Sequence, residues 1–268
     1  MKPKTAEEER LSWTDESQVT ITPPPPKKPK AVERFNAQEF NALCARAAML
    51  SPEASKRGGW RKSPVDPGRL IPLFPGLRLK EGFVLRAYQN SGGIGSSGLV
   101  FAMPEKASFP EPSKCIVNDA GWLKGPRPPE ALADFMSAIE GNGSAGSYLA
   151  ASLLARELCE FGGTWHGLEW RTHRIIDASP LRKVDERDSS DDECHFDMET
   201  CQWLEKEPVQ WWPRVQKYRS GPVTVTFFTV SALGCCGIYR HRDRFMMGYC
   251  RESCKDTLIA HGPGGYVF

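Results

Sequence analysis

Apolar residues recur at helical spacing in three stretches of the chain and run as extended segments in several others, a pattern that predicts an α+β protein. Phe40, Leu43, Cys44 and Ala47 follow a candidate cap at Asn36, and Ser51-Pro52 ends the run. Leu132, Phe135, Met136 and Ile139 fall on one helical face after Pro128-Pro129, and Gly141-Asn142-Gly143 stops them. Leu149, Leu153, Leu154, Leu158 and Phe161 form a second stripe, closed by Gly162-Gly163. A link this short predicts a helical hairpin over about residues 129–161. Phe83 to Tyr88, Leu99 to Met103, Cys115 to Val117 and Trp165 to Ile176 read as extended. From Val223 on, short apolar runs separated by turns predict an antiparallel meander. The expected architecture is an antiparallel sheet, built from that C-terminal meander and covered by the helical hairpin.

Residues 1–34 read as a disordered tail, because Pro23-Pro24-Pro25-Pro26 followed by Lys27-Lys28-Pro29-Lys30 favours polyproline II, which builds no core. Pro23 and Pro26, with Lys28 beyond them, fit the pattern that SH3-type grooves accept. Residues 35–268 are then one globular domain, with an acidic mobile loop at about 183–199 where Asp185, Glu186, Asp188, Asp191, Asp192 and Glu193 crowd together.

Composition narrows the setting. Lys and Arg number 35 against 33 Asp and Glu, so the whole chain does not call for a polyanion. No stretch approaches the roughly 20 apolar residues a membrane span needs; no apolar run follows Met1-Lys2-Pro3-Lys4 as a secretory signal requires, and Glu7-Glu8-Glu9 does not suit a transit peptide. Nine cysteines, an odd number in a chain long enough to bury a core, read as reduced thiols. The expectation is a soluble cytoplasmic or nuclear protein with no membrane partner.

Two motifs fail on context. Gly93-Ile94-Gly95-Ser96-Ser97-Gly98 spells a dinucleotide fingerprint, but an extended run follows it where a helix is required. His241-Arg242-Asp243 matches a kinase catalytic loop, yet only 25 residues follow and the metal-binding motif is missing.

Four constellations remain as candidates. His166, Glu169 and His173 suggest an acid–base site; the two histidines are seven residues apart, on opposite faces of a strand, so they do not share a metal. Five tryptophans crowd into fewer than fifty residues, and Trp165, Trp170, Trp211 and Trp212 are the candidate groove lining. Cys235, Cys236, Cys250 and Cys254 would gather if a hairpin turned at Asp243-Arg244 and set Cys236 opposite Cys250; four thiols there would hold a structural zinc, the one cofactor the sequence suggests. Arg240 and Arg242, with Arg244, alternate along one strand face and suit an anionic partner, a protein ahead of nucleic acid. The leading expectation is a non-enzymatic binding or scaffold module that uses the Trp-rich segment and the basic strand. The alternatives are a hydrolase-like enzyme around residues 166–173 and a zinc-stabilised fold.

Overall fold

The computed structural model describes residues 29–52, 58–92, 95–118, 125–165, 170–182, 196–197, 201–231 and 236–262. The Pro23–Pro26 run and most of the acidic segment, residues 183–195 and 198–200, lie outside them. Two α-helices are present among the described residues, α1 (Ala37–Met49) and α2 (Ala145–Cys159). The first strands are β1 (Ala31–Arg34), β2 (Gly59–Lys62), β3 (Leu77–Leu79), β4 (Phe83–Gly92), β5 (Gly95–Pro104) and β6 (Ile116–Asn118). Next come β7 (Gly125–Arg127), β8 (Ile139–Gly141), β9 (Thr164–Trp165), β10 (His173–Ile176), β11 (Leu181–Arg182) and β12 (Phe196–Asp197). The C-terminal third holds β13 (Gln202–Trp203), β14 (Arg214–Lys217), β15 (Val223–Ser231), β16 (Gly237–Phe245) and β17 (Arg251–His261).

The structure is α+β and its pairings are mostly antiparallel. The main sheet has seven strands in the order β1-β14-β15-β16-β17-β13, with β10 also paired to β15. A four-stranded sheet, β2-β4-β5-β9, is built on the long β4–β5 hairpin. Gly95 to Gly98 of the fingerprint run are therefore strand. Gly98 has a local reason to be glycine: a Cβ there would overlap the carbonyl oxygen of Phe161. Residues 31–34, assigned to the tail from sequence, pair as β1 with β14.

The helical hairpin does not form. Only its second helix is present, capped by Ser144, whose side chain accepts from the N–H of Ser147. Phe135–Ala138 instead make a short 3₁₀ turn capped by Asp134, and Ile139–Gly141 pair with β3. Leu132 and Met136 still turn inward, because spacing by three or four residues serves a 3₁₀ turn as well as an α-helix. A segment so brief between Pro129 and Gly141 gains little from helix propagation.

α2 is buried on every side, from Leu149 to Leu158, rather than along one stripe. It is the spine of the core: its side chains pack with Val215, Val223, Val225 and Phe227 of the main sheet and with Leu85, Ala87, Val100 and Ala102 of the hairpin. Ala150, Ala151 and Ala155 keep the helix slim enough to lie within that core. α1 starts at Asn36, whose side chain accepts from the N–H of Gln38. Its Asn41 amide donates to the carbonyl of Ile175 and accepts from the N–H of the same residue, both at 2.8 Å, tying α1 to β10.

Candidate functional site

Two polar regions lie on opposite faces of the main sheet. On the inner face, alternation along β16 turns His241 and Asp243 inward and leaves Arg242 exposed, which splits the His-Arg-Asp tripeptide between two faces. Arg156 of α2 reaches down onto this face. Its Nη1 lies 2.5 Å from Asp243 Oδ2, its Nη2 3.1 Å from Asp243 Oδ1 and 2.7 Å from Asp256 Oδ1. The guanidinium also lies over the rings of Trp170 and Phe227. Asp243, Cys254 and Asp256 are close enough together to hold a metal ion, but Arg156 touches all three and fills that place.

From Asp256 a chain of polar groups runs inward. His241 Nδ1 lies 2.8 Å from Asp256 Oδ1, His241 Nε2 lies 2.8 Å from Thr229 Oγ1, and Thr229 Oγ1 lies 2.7 Å from His173 Nδ1. A hydroxyl has a single proton to give, so Thr229 donates to one imidazole and accepts from the other. Burial, and then the neighbouring His241, push the His173 pKa down to about 3. Burial likewise lowers that of His241. For Asp243 and Asp256 burial works upward, but Arg156 outweighs it at Asp243, and His241 with Arg156 at Asp256, so both carboxyls sit low.

His173 lines a pocket together with Asn41, Cys44, Glu157, Trp170, Arg171 and Arg174. Glu157, on α2, is 1% exposed and accepts from Trp170 Nε1 at 2.8 Å. Burial raises its pKa, and burial with the adjacent Glu157 raises that of Cys44 well above the thiol range, so Cys44 is a neutral thiol and no nucleophile.

The outer face carries the second region. Antiparallel register sets Arg34 opposite Arg214, Arg214 opposite Thr226, Thr226 opposite Arg242 and Arg242 opposite Lys255. Paired residues share a face, so these side chains form one row across five strands, roughly 19 Å long at about 4.8 Å per strand. Arg240 and Arg244 flank the row but are paired, with Glu205 and Glu252. Arg34, Arg214, Arg242 and Lys255 make no ion pair with any described residue. Burial, then the charges of Arg242 and Arg240, pull the Arg214 guanidinium below its ordinary value. The rest of this face is an apolar cluster of Phe228, Val230, Ile238, Ile259 and Ala260 around Trp211.

Of the residues singled out from sequence, His166, Glu169 and Cys235 lie outside the described residues. Trp165 is in β9, opposite Gly95. Trp170 is buried beside the inner-face network and Trp211 in the outer cluster, each 7% exposed, so neither ring presents an open face. Trp212 is half-buried beneath the Arg34 guanidinium, 4.2 Å from it. The described members of the cysteine set, Cys236, Cys250 and Cys254, do not gather. β16 continues through Phe245, so the hairpin turns at residues 246–250 and not at Asp243-Arg244. Cys236 then adjoins Gly237, which pairs with His261, while Cys254 lies opposite Asp243 and Cys250 lies in the turn at the far end. Cys250 and Cys254 are free thiols.

Arg156, Glu157, Asp256 and Thr229 were missed in the sequence, as were Arg34, Arg214 and Lys255. The one local signal was Arg156-Glu157 interrupting an otherwise apolar helix. The cation row has no local signal, because it exists only through pairing. No protein-family model matches this chain, and no curated protein or solved structure matches it. Among the described residues no helix is long and apolar enough to cross a membrane.

Proposed function

We propose that this protein is a non-enzymatic binding module whose outer sheet face takes an acidic segment of a protein partner. The observation that carries this reading is the row of Arg34, Arg214, Arg242 and Lys255, four cations that make no ion pair with any described residue. Like charges so close together repel, and a face that serves only to meet water has no reason to retain them. An extended peptide advances roughly 3.3 Å per residue, so about six residues with alternating acids match the row. Nucleic acid suits the face less well, since single strands are held by stacking on open aromatic rings. Here Trp211 and Phe228 are buried and Trp212 lies under Arg34.

The enzyme reading is the weaker one. His173 does line a pocket, but an imidazole with a pKa near 3 is a poor general base at neutral pH. The test is fluorescence anisotropy with a labelled peptide of alternating Glu and Ser, against an oligothymidine of equal charge. Peptide binding that weakens with salt, and at least tenfold in the Arg242→Glu/Lys255→Glu variant, is expected. Tighter binding of the oligonucleotide, or no binding of the peptide at low salt, overturns the proposal.

A further inference from the structure

The outer cation row begins on β1, and β1 is also where residues 1–28 join the described part of the chain. Lys30 N–H donates to the carbonyl of Lys217 at 2.7 Å, so the chain is still seated on the edge of the main sheet at that point. Arg34 follows about 13 Å further along the strand, and Lys255 lies roughly 19 Å from Arg34 across the strands. All four cations are therefore within about 25 Å of the place where the N-terminal segment departs.

That segment changes character along its length. Lys27 and Lys28 adjoin the strand, four prolines come next, and the acids stand beyond them. These are Asp15 and Glu16, then Glu7, Glu8 and Glu9, with Arg10 the one base between the two groups. Five carboxylates less one guanidinium leave four negative charges, matching in number the four cations of the row. The stretch from Glu16 to Lys30 can span about 46 Å when extended, which brings the acids to every cation with chain to spare. A segment on the same chain also meets the face at an effective concentration in the millimolar range, so contacts too weak to hold a separate peptide suffice. The other acid-rich segment, residues 185–193, lies between β11 and β12, which pair with each other and not with the main sheet. Of the two, the N-terminal segment alone is continuous with a strand of the row.

We infer that residues 7–16 dock on the cation row of their own chain and compete there with the acidic segment of the partner. The inference rests on the row being the binding face, and adds its regulation.

Two measurements on the full chain test it. A variant carrying Glu7→Gln, Glu8→Gln, Glu9→Gln, Asp15→Asn and Glu16→Gln should bind the labelled Glu/Ser peptide at least threefold more tightly at low salt. The gain should shrink as salt is added. A control with Asp185→Asn, Glu186→Gln, Asp188→Asn, Asp191→Asn and Asp192→Asn removes the same charge elsewhere and should gain less than about twofold. An equal gain in the control, or none in the first variant, overturns the inference. The second measurement does not use the peptide. A water-soluble carbodiimide joins carboxylates to amines that touch them, and a mixture of ¹⁴N and ¹⁵N chains separates links within a chain from links between chains. Lys255 should couple to an acid among residues 7–16 of its own chain. Coupling only between chains, coupling to residues 185–193 instead, or no coupling of Lys255 overturns the inference. Coupling to residues 7–16 without any binding of the peptide would sink the partner reading and leave the internal contact standing.

Discussion

The two faces of the main sheet both carry charge and treat it in opposite ways. On the inner face Arg156 is held by Asp243 and Asp256, and each member is anchored by packing as well as by its partners. On the outer face Arg34, Arg214, Arg242 and Lys255 stand in line without an ion pair to any described residue. The same strands, β15, β16 and β17, serve both faces. A single alternation along β16 therefore separates charge that specifies the fold from charge that remains available to a partner.

The largest expected effect comes from breaking the inner pair. Arg156→Leu strands Asp243, which is fully buried, and should cost about 3–5 kcal/mol in urea unfolding. Adding Asp243→Leu should recover part of that loss, and neither variant should alter peptide binding per folded molecule. Acid comes next. His173 titrates at about 3 when folded against 6.5 ordinarily, so between those values the unfolded chain binds the extra proton. Stability should then fall by about 1.4 kcal/mol per pH unit below ~6.5 for such an imidazole, and the lowered pKa of His241 acts in the same sense. Glu157, raised in the folded state, opposes this over its own window above the ordinary carboxylate value, while Asp243 adds its loss only as the pH falls below that value. Urea midpoints at pH 7, 6 and 5 measure the slope, and His173→Gln should lessen it.

Thr229→Val removes the hydroxyl between the two imidazoles, and about 1–2 kcal/mol is expected from the donor and acceptor it leaves behind. The smallest stability change belongs to the outer face and has the opposite sign. Arg242→Glu relieves repulsion along the row and should stabilise by up to about 1 kcal/mol, while weakening the acidic peptide. A loss of stability there would mean that the row supports the fold, and the contrast between the faces would collapse.

The class of fold was legible in the sequence because alternation and helical spacing are local properties. Asn36, the end of α1 before Ser51 and the meander from Val223 on could all be read one segment at a time. The hairpin at 129–161 could not, since Leu132, Phe135, Met136 and Ile139 fit a 3₁₀ turn and a strand as well as a helix, and β3 decides between them. The sites were harder still. His173 was visible as a polar residue among aromatics, but the groups that orient it come from β15, β16 and β17. The turn after Phe245, placed three residues too early from sequence, was enough to bring together Cys236, Cys250 and Cys254, which the true register keeps apart.

Asn41 matters beyond the pocket wall it helps to build. Among the described residues β10 has one strand neighbour, and its other edge would offer backbone groups to an extended chain if α1 did not cover it. A single amide occupies the middle of that edge and answers the N–H and C=O of Ile175 as a neighbouring strand would. The molecule thus ends its own sheet with a side chain from a helix. Its resistance to joining copies of itself edge to edge is vested, on that side, in α1 and the one amide it places there, whose loss would strand the buried N–H and C=O of Ile175.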